Sequence, residues 1–165
     1  MRRLALAGLL LLGGAGCAAQ METVERSGQG PKAEALFLAR SVLRNGREPS
    51  FDEKRMWEDR MDDRVSRYLR EHPEMQQTTR YSDFRFWRQV SVGSARGEVR
   101  ALLDEPEEET IDPALMAALA RQHWPEISRR AREAWVYPVG WVIYFDEQGV
   151  TDVVRRIGTV ERLGR

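Results

Sequence analysis

Apolar positions in this chain recur first at helical spacing and later at every second residue, so helices are expected to precede a sheet. Pro31 is expected in the first turn of a helix, with Leu36, Ala39 and Leu43 on one face and Ala35 and Val42 beside them. Asn45-Gly46 supplies a left-handed end. Ser50-Phe51-Asp52-Glu53 is a capping box that predicts a second helix. In it Trp57, Met61, Val65 and Tyr68 follow at spacings of four, four and three, with Leu69 adjacent. The other positions are mostly charged, so a long helix with one narrow apolar stripe is expected to run to about His72-Pro73. Its charged side reads as a solvated face with pairs such as Asp63–Arg67.

Phe84, Trp87 and Val90 predict a short helix over 82–90, while Phe84, Phe86 and Val90 also permit a strand. Val99, Leu102 and Leu103 form one face of a helix over 98–103, before Pro106. Residues 105–109 are acidic and loop-like. Asp112-Pro113 caps a further helix with Leu115, Ala118 and Leu119 as its core face, and Pro125 breaks it. A short helical piece is expected to follow, up to Glu133. From Trp135 the period becomes two, and Gly140 and residues 146–149 mark turns. This predicts a three-stranded antiparallel meander that needs a helical cover.

The N-terminus has a different pattern. Arg2 and Arg3 precede an apolar run, Leu4 to Leu12, too short to span a bilayer. Small residues 13–16 lead to Cys17, the single cysteine in 165 residues. This excludes an intrachain disulfide and a cysteine-rich zinc site. Residues 1–16 read as a signal peptide and 17–30 as a tether carrying a lipid on Cys17, with Ala15-Gly16-Cys17 similar to the end of a bacterial lipobox. The alternative is an ordinary secretory signal cut after Ala18 or Ala19. Residues 31–79 are expected to be a helical extension and 80–165 an α+β domain. Charge adds one exclusion: 26 basic and 26 acidic residues leave no net excess, which argues against a general nucleic-acid binder.

From Gly93 onward the chain resembles the BamE/SmpA/OmlA family of outer-membrane lipoproteins. The resemblance rests on Gly93, Glu98-Val99, Leu102-Leu103 and Pro106, then Trp135-Val136-Tyr137, Phe145-Asp146 and Gly149-Val150, behind the lipobox. It covers roughly residues 82–157, with an insertion at 107–133. It departs at Ala95, where the family has a threonine cap, so Ser94 is expected to cap instead. It departs again at Asp104, where the family has glycine. The resemblance implies a helix-turn-helix pair packed on the three-stranded sheet. It also implies an adaptor on the periplasmic face of the outer membrane. Its partner would be an envelope protein, such as a β-barrel assembly subunit.

The residues themselves offer little chemistry. His72 and His123 are isolated, Asp62 and Asp63 point to different faces of one helix, and residues 104–109 lack the ligand spacing of a calcium loop. No cofactor or metal is expected, and no enzymatic activity. Trp135, Tyr137, Trp141 and Tyr144 cannot all face one core, because neighbouring strand positions point to opposite sides. They are the candidate partner surface, unless residues 107–133 or the N-terminal helices cover them. Two rival functions stay open: an envelope module that binds peptidoglycan or inhibits an enzyme, and a hydrolase with an unrecognised site.

Overall fold

The computed structural model describes residues 23–127 and 129–158. Its elements are β1 (Thr23–Ser27), β2 (Gln29–Lys32), α1 (Ala33–Asn45), α2 (Phe51–Glu71), β3 (Gln89–Ser91), α3 (Arg96–Leu103), β4 (Glu108–Thr110), α4 (Pro113–Ala120), α5 (Trp124–Ile127), β5 (Glu133–Tyr137), β6 (Trp141–Phe145) and β7 (Val150–Ile157). The protein is α+β, and the expected meander β5-β6-β7 forms. It is the centre of a larger antiparallel sheet, ordered β1-β7-β6-β5-β4, and β2 and β3 make a separate two-stranded ladder. The expectation of three strands is corrected by two short edge strands. Both are too polar to show an alternating pattern: TVERS buries only its valine, and EET only its threonine.

Alternation along the central strands separates two cores. Trp135, Tyr137, Ile143, Phe145, Val150 and Val153 face the first, which α1, α2 and α3 cover. Ala134, Val142, Tyr144 and Val154 face the second, which α4 and α5 cover. Of the expected helix-turn-helix pair only α3 forms as a helix, because residues 83–87 make a π turn and residues 89–91 a strand. After α3 the chain passes Pro106 and joins the sheet edge through β4, so α4 lies on the opposite side.

The long second helix follows its sequence signals closely. Ser50 Oγ accepts the Glu53 amide, and Glu53 accepts the Ser50 amide at 2.7 Å. Trp57, Met61, Val65 and Leu69 are buried along one stripe. Its charges behave differently from expectation. They pair between elements rather than along the helix: Lys54 with Glu34, Arg88 with Asp62, and Arg64 with Asp104.

Other expectations are corrected locally. Residues 23–30 are not a free tether, because they form β1 and the start of β2. Pro31 lies in β2, whose pairing with β3 shifts register between Gln29 and Lys32, where a missing amide is harmless. In α1 Leu36 is buried, but Val42 and Leu43 in the last turn are exposed. Residues 83–87 form a π turn that leaves Phe86 and Trp87 outside, and residues 89–91 form β3. Ser94 does not cap α3; its hydroxyl instead accepts the Ser91 amide. Asp112 does cap α4, at 2.8 Å from the Ala114 amide. The buried face of α4 is Met116, Leu119 and Ala120, with Leu115 exposed.

Candidate functional site

Burial decides the fate of the expected aromatic surface. Trp135, Tyr137 and Tyr144 are fully buried, and Trp141 is half-buried beneath the Arg155 guanidinium. As an exposed partner surface these residues are corrected: both sheet faces are covered, by the N-terminal helices on one side and residues of 107–133 on the other. Their polar atoms are used internally. Trp135 donates to Glu133 at 2.7 Å, Tyr137 to the Asp104 carbonyl at 3.1 Å, and Tyr144 to the Met116 carbonyl at 3.1 Å. Burial raises the pKa of both tyrosines above the ordinary value. Cys17 lies outside the described residues. His72 stacks on Tyr68, with ring centroids 4.3 Å apart, and His123 closes a separate 3-10 turn, so the two histidines form no common site.

Among the described residues one open concave feature is a cleft between α1 and α2. It has a volume of about 390 Å³. Phe37 stacks on Trp57 with centroids 4.8 Å apart and planes 11° apart. Ala33, Met56 and Leu102 add apolar lining. Arg40, Arg44 and Arg60 stand around this surface, and Arg64 and Arg67 continue it into an adjoining hollow that shares Trp57, Arg60 and Asp104. The site follows from the two helix registers. Residues 37, 40, 41 and 44 lie along one side of α1, and 53, 56, 57, 60, 64 and 67 along one side of α2.

Two of the arginines are held tightly. Arg40 donates to the Leu103 carbonyl at 2.6 Å and to the Glu105 carbonyl at 3.2 Å, so it satisfies carbonyls at the C-terminal end of α3. Arg64 bonds the Asp104 carboxylate, which also lies 3.9 Å from Arg40. Burial lowers the pKa of both guanidiniums; Arg44 lowers Arg40 further, and Arg60 and Arg40 lower Arg64. The Arg64 Nε is buried without a hydrogen-bond partner.

The other cations are not neutralised. Among the described residues Arg44, Arg60 and Arg67 make no ion pair, and Glu53 on the cleft wall is engaged by Arg47 and the Ser50 amide. With Asp63 included, the cleft and hollow set five arginines against three carboxylates, so they carry surplus positive charge over an aromatic floor. Such a surface recognises an anion joined to an apolar group. It has no nucleophile–base pair.

Sequence reasoning missed this cleft, although a signal was present. Arg60, Arg64 and Arg67 stack like charges at spacings of four and three on one helix face. Such repulsion costs an isolated helix a few tenths of a kcal/mol per pair. Read as an ordinary solvated surface, the charge run concealed this grouping.

The fold and cleft together define an α+β protein with an exposed, arginine-rich concave site between its first two helices. No family model matches the chain, and no curated protein or solved structure matches it.

Proposed function

We propose that this chain is an exported lipoprotein, acylated at Cys17, that acts as a structural adaptor on the periplasmic face of the outer membrane. The carrying observation is an order of features. A basic pair, a short apolar run, small residues and the only cysteine stand immediately ahead of a folded body that begins at Thr23. The resemblance to BamE/SmpA/OmlA proteins supports the same reading, and gives envelope assembly partners as the class to test. Among the described residues no helix is long and apolar enough to cross a membrane. Anchoring would thus depend on lipid, and two or more acyl chains suffice, since each buried methylene contributes about 0.8 kcal/mol.

The start of β1 constrains how such an anchor works. Five residues separate Cys17 from Thr23, and an extended chain covers at most about 3.6 Å per residue. Six steps from Cys17 to Thr23 would hold the sheet edge within roughly 22 Å of the acylated residue. An adaptor held so closely meets its partners beside the bilayer, and the arginine-lined cleft offers the binding surface.

Expression of the full chain in a bacterial host tests this directly. Intact mass and membrane fractionation should show loss of residues 1–16, fatty acylation of Cys17 and a membrane-bound protein. The Cys17→Ala variant should be unacylated and lose membrane attachment. A wild-type protein that retains Met1, or carries a free thiol at Cys17, overturns the reading.

A further inference from the structure

We propose that the α1–α2 cleft binds a segment of a partner protein in which an aromatic side chain is flanked by carboxylates. This deepens the adaptor reading by naming the partner's chemistry.

Three observations carry it. First, the floor is apolar: half-buried Phe37, backed by the stacked and buried Trp57 and bordered by Met56 and Leu102, lines the cleft as an aromatic surface. A cavity of about 390 Å³ is the right order for one aromatic side chain and its immediate neighbours. Second, Arg44 and Arg60 line that floor, and Arg67 the adjoining hollow, without ion-pair partners among the described residues. Five arginines against the carboxylates of Glu53, Asp63 and Asp104 leave a positive excess in this concave site, and such an excess concentrates anionic ligands. Third, the cleft already holds a carboxylate. Asp104 lies between Arg40 and Arg64, bonded to one and 3.9 Å from the other. The planar forks of these guanidiniums thus accept a carboxylate here, and the unpaired ones are placed to accept more. A lipid phosphate would satisfy the cations, but leaves the aromatic floor without a role.

The test uses the purified full-length chain in neutral detergent and fluorescence polarisation with labelled peptides. The probe is acetyl-Glu-Asp-Phe-Glu-Asp-amide. Its controls are the Gln/Asn analogue, the Phe-to-Ala analogue and phosphatidylglycerol vesicles. The acidic aromatic peptide should bind best and weaken as salt rises. The double variant R44Q/R60Q should weaken it by about tenfold or more, as expected for loss of charge-assisted hydrogen bonds. Arg70→Gln, on the same helix outside the cleft, should leave binding unchanged.

Arg44 and Arg60 are exposed and make no ion pair, so the double variant keeps the fold, which circular dichroism verifies. Equal binding of the Gln/Asn analogue overturns the proposal, as does indifference to R44Q/R60Q. Vesicle binding that alone depends on Arg44 and Arg60 assigns the cleft to lipid phosphate and overturns it equally. The anchor is tested separately: Cys17→Ala should abolish attachment yet keep peptide affinity. Failure of either reading is thereby distinguished from failure of the other.

Discussion

Asp104 adopts φ 61° and ψ −164°, backbone space that glycine occupies freely and other residues enter at a cost of about 1–3 kcal/mol. Its surroundings hold it there. Arg64 and Arg40 draw on its carboxylate, and its carbonyl accepts the Tyr137 hydroxyl. The carboxylate is more than half exposed, so its ion pairs contribute only about 0–1 kcal/mol. Strain therefore outweighs them. Asp104→Gly should be at least as stable as the parent in urea denaturation, and Asp104→Ala should be less stable than Asp104→Gly by about 1–2 kcal/mol. Equal midpoints for the two variants would show that the backbone carries no strain. This position was half legible in the sequence, since the family resemblance has glycine there. The arginines that grip it come from two other helices and carry no local signal.

Glu53 gives a second residue-scale expectation. The Arg47 guanidinium, and then the Ser50 amide, hold its carboxyl at about 2, below the ordinary 4.5. A depressed carboxyl stabilises the folded state above its unfolded pKa, and that contribution is lost as pH falls from about 4.5 through 2. Arg47→Ala should move the Glu53 titration upward in carbon-detected NMR. A titration unchanged by that substitution would remove Arg47 as the cause.

At the scale of elements, β1 shows how a strand without an apolar pattern is fixed. Only Val24 is buried in it. Arg26 supplies the attachment: its Nε donates to Asp152 at 2.7 Å, and another nitrogen pairs with Glu126 of α5. The Asp152 carboxylate is nearly inaccessible, with one oxygen already lacking a partner. Removing the cation would leave a buried charge unpaired, a change that costs about 3 kcal/mol or more. Arg26→Ala should therefore lose roughly that much stability. Adding Asp152→Asn should recover part of the loss, a coupling that a double-mutant cycle measures. Additive losses would mean the pair does not act as a unit. The long helix α2, by contrast, was readable end to end, because its cap, stripe and stop are all encoded within its own residues. The edge strands β1 and β4 were not, because their positions depend on partners 126 and about 26 residues away in contacts such as Arg26–Asp152 and Glu109–Trp135.

For the whole molecule, the decisive feature is that the sheet has two buried faces of unequal strength. Strand alternation showed that Trp135 and Tyr144 point to opposite sides, but periodicity alone does not reveal whether the second side is covered. That depended on where α4 and α5 pack, and the small residues Ala120, Ala131 and Ala134 that admit them closely give little hydrophobic signal. The first core is built from large side chains on several helices, whereas the second rests on two short helices and is pinned by the Tyr144 hydroxyl on the Met116 carbonyl. Fewer apolar contacts imply a lower free energy for local opening. Native-state hydrogen exchange should find α4 amides exchanging through a sub-global opening, well before those of α3 and β6. Tyr144→Phe removes the hydroxyl that the Met116 carbonyl accepts and should lower that opening by about 1 kcal/mol. The same substitution should leave the α1–α2 cleft on the far side unaltered, so peptide binding there is the internal control. Exchange of α4 only at the global unfolding rate would instead show that the two layers open as one cooperative unit.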